Sequence, residues 1–395
     1  MKDHIYLDNN ATTKVDPRVL EEMLPFFTEF YGNASSTNHL DGKKAAGAVQ
    51  KARERIADLI GSIDREITFT SGATECINMV MKGVFDRYQS IGKHIITCLT
   101  EHKAVLDVCK SLEKRGAEIT YLPVGSAGAV NIEDLRNAIR KDTVLISIMY
   151  ANNETGVVHP VEEIAKIANE RKVLFFCDAT QAVGKIPVSM AESQIDLMAF
   201  SAHKMYGPKG VGALYMRKKS RRTQVEPLIN GGGQESNMRG GTLNVPGIVG
   251  FGAAAELAKN LLVEEQSRLR NLRDHLEASL LKIEQTYING LNAKRLFHVT
   301  SITFRFLKAE QIMARAKTVS MASGSACSTG SLDPSHVLLA MGLNAEDAHG
   351  TLRLSLGRFN TLDEINHVVQ IITQVVEGLR EESPAWQLFK KGLIP

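Results

Sequence analysis

The chain has 395 residues, with 47 Lys and Arg against 44 Asp and Glu and a net charge of +3 with histidine neutral. Near balance excludes a general nucleic-acid binder, which needs a basic excess to release counterions from phosphates. A content of 44% apolar and 23% charged residues excludes disorder as the main state, and five cysteines without a C-x-x-C pair exclude a secreted disulfide framework, a zinc ribbon and a thioredoxin-like motif.

In chain order, charges begin at Lys2 and a polar run follows Leu7, so no apolar signal core is expected. No stretch of ~18 apolar residues occurs, and the expectation is a cytoplasmic protein that makes no use of a membrane. Apolar spacing predicts helices over Pro17–Phe30 and Gly42–Ile60. Short apolar runs then predict strands at Glu66–Thr70, His94–Cys98, Glu118–Leu122, Thr143–Tyr150, Val173–Cys177, Leu197–Phe200 and Gly212–Met216. Helical stretches such as Lys103–Arg115, Ile132–Arg140 and Val161–Arg171 lie between them. This alternation predicts an α/β domain with a mainly parallel, seven-stranded sheet covered on both faces.

The pattern changes after the glycines Gly231–Gly233. A long helix is predicted over about Gly247–Ile283, then strands at Val299–Phe306 and Leu352–Ser355, a glycine- and serine-rich loop at 323–331 and a helix at Asp363–Arg380. This reads as a smaller α+β domain. The predicted division is 15–260 for the large domain and 261–395, with 1–14, for the small one.

Several strand ends carry chemistry. Ser71-Gly72-Ala73-Thr74-Glu75 follows a predicted strand and opens a helix, where free N–H groups receive an anion such as phosphate; an ordinary helix cap reads the same residues. Asp178 ends another strand, where a carboxylate needs a positive partner such as a protonated pyridine nitrogen. Ser201-Ala202-His203-Lys204 offers a lysine suited to Schiff-base chemistry beside two phosphate-binding side chains. His102 can stack on an aromatic ring or move protons, and Asn153 can donate to a phenolic oxygen. Together these are the parts that pyridoxal 5′-phosphate requires: anchor, stack, ring donor, pyridinium partner and lysine.

The same residues carry a resemblance. The segments Tyr6–Thr13, Phe69–Glu75, Thr100–Val105, Asn152–Gly156, Asp178–Gln181, Ser201–Lys204, Met238–Thr242 and Ser323–Cys327 resemble class I cysteine desulfurases of the NifS/IscS-like group, which have the fold type I (aspartate aminotransferase) architecture. The likeness extends from about Ile5 to Trp386. It implies pyridoxal phosphate on Lys204, with Asp178 at the pyridine nitrogen, Gln181 at the phenolic oxygen and His102 stacked on the ring. Ala73, Thr74, Ser201 and His203 would surround the phosphate, and Thr242 would reach the phosphate of the other subunit of a homodimer. Asn153 and Arg353 would grip the substrate carboxylate, the latter because guanidinium pairs bidentately with carboxylate. Cys327 would accept sulfur from L-cysteine as a persulfide, leave L-alanine, and pass the sulfur to acceptor proteins. Iron–sulfur cluster assembly, tRNA thiolation and DNA phosphorothioation are the destinations the group serves. A selenocysteine lyase, an ordinary aminotransferase and a non-catalytic scaffold are the competing readings; Cys327 disfavours the second, and the intact lysine, aspartate and histidine the third. No metal site is expected.

Overall fold

The computed structural model describes residues 4–218, 223–324 and 333–394. After a two-residue strand β1 (Ile5–Tyr6), seven strands build one sheet. They are β2 (Ile67–Thr70), β3 (His94–Cys98), β4 (Glu118–Leu122), β5 (Thr143–Ser147), β6 (Leu174–Asp178), β7 (Leu197–Ser201) and β8 (Gly212–Met216), in the order β2-β8-β7-β6-β5-β3-β4. Strands β3 to β7 pair in parallel, while β8 runs antiparallel to both β2 and β7. The reversal follows from chain length: residues 202–211 between β7 and β8 are fewer than the dozen or so a parallel crossover needs. The α/β class with a mainly parallel seven-stranded sheet is therefore as the sequence implies.

Side chains alternate across this sheet. Phe175 and Cys177 of β6 join one apolar cluster, and Leu174 and Phe176 join the other. On the second face lie the helices Ala73–Tyr88 and Lys103–Glu113, with Val80, Val84, Val105 and Leu112 turned inward. The helices Leu40–Leu59, Val161–Arg171 and Val245–Leu280 cover the first face through Val49, Ile56, Ile164, Ile248 and Phe251. Two of these helices approach closely because Gly252 faces Ala52; a Cβ on Gly252 would lie 2.5 Å from the Ala52 Cα.

The predicted helix over Pro17–Phe30 is two helices, Pro17–Met23 and Pro25–Thr28. Pro25 lacks the N–H that would continue the first helix, so the chain restarts there. The predicted strand Thr143–Tyr150 leaves the ladder after Ser147, and the long helix begins at Val245, where the Asn244 side chain accepts a hydrogen bond from Gly247 N.

The remaining strands are β9 (Thr286–Ile288), β10 (Val299–Phe304), β11 (Val319–Ser320), β12 (Ala322–Ser323) and β13 (Thr351–Ser355). Four of them form an antiparallel sheet in the order β12-β13-β10-β9, and β11 pairs in parallel with β1. The start of the chain is thus built into its C-terminal half. Ile5, Leu7, Ile302, Leu352 and Leu354 share a cluster with Leu272 and Leu276 of the long helix and with Val368 and Ile372 of the helix Leu362–Glu382. The 36-residue helix Val245–Leu280 serves the sheet cluster with its first half and this cluster with its second; residue 260 lies inside it. A last helix, Pro384–Lys390, packs the protein's single tryptophan, Trp386, over the Arg380 guanidinium at 4.4 Å and against Phe306 at 5.8 Å. No helix among the described residues is long and apolar enough to cross a membrane.

Candidate active site

The carboxyl ends of the parallel strands open onto a cavity of about 630 Å³. Its wall includes Ala73, Thr74, His102, Asn153, Asp178, Gln181, Ser201, His203, Lys204 and Arg353. The structure thus brings together ten of the twelve residues singled out from the sequence. Thr242 is exposed and does not line this cavity. Cys327 lies outside the described residues, with most of the predicted loop 323–331.

At one end of the cavity the helix Ala73–Tyr88 begins. Its first internal bond joins Cys76 N to Gly72 O, so the N–H groups of Ala73, Thr74 and Glu75 are left to the cavity or its surroundings. The loop is held from outside by Glu75, which accepts from Ser71 N at 2.8 Å and pairs with Arg239 at 2.9 Å. Strand β8 comes near enough that a Cβ on Gly212 would sit 2.6 Å from the Gly72 Cα. Ser201, buried at the end of β7, and His203 complete this polar end. Burial, reinforced by the Lys204 charge, pushes the His203 imidazole down to about 4, so it is neutral at pH 7.

Asp178 ends β6, and its Oδ1 accepts from both N and Oγ1 of Thr180, which orients the carboxylate. His102 caps the helix Lys103–Glu113, its Nδ1 accepting from Ala104 N at 3.1 Å. That bond places the proton of the neutral ring on Nε2. Burial lowers the His102 pKa; Asp178 opposes and Lys204 reinforces the effect. The Lys204 ammonium donates to the carbonyls of Asn10 and Ala11, each at 2.6 Å.

Arg353 is buried on β13. One Nη donates to Asp8 Oδ1 at 2.7 Å and the other to the Asn153 carbonyl at 3.2 Å, while Nε is buried without a partner among the described residues. A guanidinium in the wall of a cavity is suited to a small carboxylate, with which it can pair bidentately. The segment that carries Cys327 departs from this neighbourhood and returns to it. Ala322 of β12 pairs with Arg353, and on the far side Ser335 donates through Oγ to Glu154, next to Asn153, at 2.5 Å. The other four cysteines are buried; burial raises each thiol, those of Cys76 and Cys109 to about 12. They are inert as nucleophiles at neutral pH.

Sequence reasoning missed Asp8, Asn10 and Lys185. The first two stand in the segment Tyr6–Thr13, which carried resemblance but no assigned role. Lys185 stands four residues after Gln181 and donates to its Oε1 at 2.6 Å. Among the described residues no group of acids, histidines and cysteines is arranged to hold a metal ion. The residues present fit pyridoxal phosphate. Anion donors lie at one end, and a lysine, an oriented carboxylate and a guanidinium lie in the wall.

Residues 5–368 match the model of the aminotransferase class-V family. The chain is 49% identical over 395 residues to the cysteine desulfurase IscS of Histophilus somni (strain 129Pt), covering all of this chain and 98% of that protein. A solved NifS-like protein superposes with a TM-score of 0.88 at 39% identity, covering 95% of this chain and 99% of that one. A structure of SspA in complex with cysteine superposes at 0.79 with 35% identity, covering 90% of this chain and all of that one.

Proposed function

This chain belongs to the aminotransferase class-V family, and we infer from that footing that it is a pyridoxal-phosphate-dependent cysteine desulfurase, converting L-cysteine to L-alanine with transfer of sulfur to Cys327. The observation that carries the reading is Arg353: a buried guanidinium in the wall of the cavity that holds Lys204 and Asp178, on the strand that pairs with β12, from which the Cys327 segment departs.

Bound in the cavity, pyridoxal phosphate supplies an electron sink for the substrate Cα. Ala73, Thr74, Ser201 and His203 would hold its phosphate, with Asp178 serving the ring nitrogen, Gln181 the ring oxygen and His102 the ring itself. Arg353 and Asn153 fix the substrate carboxylate, which places the Cα proton toward the Lys204 amine. That amine takes the proton, and the carbonyls of Asn10 and Ala11 give it a defined resting place. The Cys327 thiolate attacks the substrate sulfur. A sulfur–sulfur bond forms, the carbon–sulfur bond breaks with its electron pair left on carbon, and protonation yields the methyl group of alanine. His102, with its ring proton on Nε2, handles the proton at the departing sulfur.

The sulfur goes on to acceptor proteins, with iron–sulfur assembly as the first destination to examine. The working form is a homodimer in which Thr242 of each chain serves the other's phosphate, and the compartment is the cytoplasm. We take 15–260 as the cofactor-binding domain and 261–395 with 1–14 as the smaller one.

The purified protein loaded with the cofactor is expected to be yellow. Lys204→Ala is expected to abolish turnover, and Cys327→Ser to keep the colour and lose sulfide release by about 100-fold or more. Full activity in Cys327→Ser refutes the persulfide step, and a colourless wild type refutes the cofactor.

A further inference from the structure

We propose that Lys185 is a positioning residue for this reaction: its amine fixes the Gln181 amide so that Nε2 faces the cavity as a hydrogen-bond donor. Lys185 is 7% exposed and shares no wall with the main cavity. Its Nζ lies 2.6 Å from Gln181 Oε1. On the other side Gln181 Nε2 donates to the Asn10 carbonyl at 3.0 Å, the same oxygen that accepts from Lys204. A carbonyl only accepts, so Nε2 must face Asn10 and Oε1 must face Lys185, whose amine supplies the donor whether or not it is charged. Nε2 has two hydrogens. One is used by Asn10, which leaves the second to be offered to the cavity that Gln181 lines.

The placement of Lys185 is costly. Burial is the main influence on its amine and pushes it well below the ordinary lysine value, and the next two, Lys204 and Arg353, repel it further. An apolar residue would occupy the position without that cost. The bond to Gln181 is what a lysine adds there.

The proposal rests on the reading that the cavity binds pyridoxal phosphate. The test uses the loaded protein and follows its visible absorption band across pH. Losing an oriented donor to the ring oxygen favours the protonated form. Lys185→Met is therefore expected to move the band's midpoint upward by about half to one pH unit, the effect of one ordinary hydrogen bond. Added to Gln181→Ala, the same substitution is expected to move it no further. If Lys185→Met does not fold, Lys185→Ala carries the same expectation. An unchanged midpoint overturns the proposal, as does an equal shift in the Gln181→Ala background. A wild type with no visible band overturns the cofactor reading itself, which is a separate result.

Discussion

Glu101 and Glu154 stand beside His102 and Asn153 in the chain and are both buried. Glu101 accepts from Met149 N, and Glu154 from Ser335. Burial raises Glu101 to about 8 and Glu154 to about 7, against about 4.3 for an ordinary glutamate. The folded protein then keeps protons that the unfolded chain has released. The stability these two groups lend is present in full below the unfolded value and is lost as pH rises through about 8. His159 and His203 act in the opposite sense. Burial lowers each to about 4, so their contribution is lost as pH falls from the unfolded value toward it. Glu101→Gln keeps the bond from Met149 N and cannot ionise. Its melting temperature is expected to fall less than the wild type's between pH 5 and pH 8; parallel curves would contradict the burial account. Residues such as Lys204 and Asp178 were legible in the sequence because their side chains carry the chemistry. The carbonyls of Asn10 and Ala11 were not, since any residue type supplies a carbonyl. Lys185 was not, since composition alone places a lysine at the surface.

At the level of elements, strand ends were the part most legible. Apolar runs of the right length give the strands of a buried parallel sheet, and the residue after each run lands at the cavity. The elements that escaped notice are short or weakly patterned: β9, β11, β12 and the helices Ala309–Arg315, His336–Ala340, Ala345–His349 and Pro384–Lys390. They owe their conformation to packing against residues distant in sequence, which a local window does not contain. The last helix shows how small such an anchor is. Trp386 touches Arg380, Phe306 and Phe389, with no contact to the cavity wall. Trp386→Ala is expected to cost about 1–3 kcal/mol, less than a fully buried tryptophan, and to leave the turnover of cysteine unchanged. Denaturant unfolding and a turnover assay check the two halves of that expectation, and a large loss of turnover at full folding would contradict it.

For the whole molecule, the proposed homodimer is the level that one chain displays least directly. Leu24, Phe27, Tyr31 and Leu40, at 53%, 58%, 76% and 66% exposure, put large apolar side chains on the surface within a short stretch of sequence. Exposed apolar side chains that adjoin on a surface mark an interaction face. If Thr242 serves the other subunit's phosphate, a mixed dimer of Lys204→Ala and Thr242→Ala chains collects both defects in one site and leaves the second intact. Its specific activity at limiting cofactor is expected to be about half that of wild type, one site of two. If Thr242 serves its own chain, each site carries one defect and activity falls well below that. The proposed two-fold arrangement rests only on resemblance, because spacing within one chain says nothing about its neighbour.

The N-terminal segment ties the molecule together: Leu7 bonds to Ser320 and Ser355, Asn10 to Lys204 and Ser355, and Thr13 to His203. These partners follow by roughly 190 to 350 residues. On a ribosome adding about 5–20 residues per second, the start of the chain therefore waits roughly 20 to 70 seconds for its last partner to be made. The sheet can assemble in the meantime, and the carbonyls of Asn10 and Ala11 can meet Lys204 once β7 has emerged, but the bonds of Leu7 and Asn10 to Ser355 wait for β13. Vectorial synthesis thus makes the anchoring of the first strand a late event, and a chain truncated before Ser355 is expected to form the seven-stranded sheet with its N-terminal segment tied down near residues 203–206 but not to Ser355.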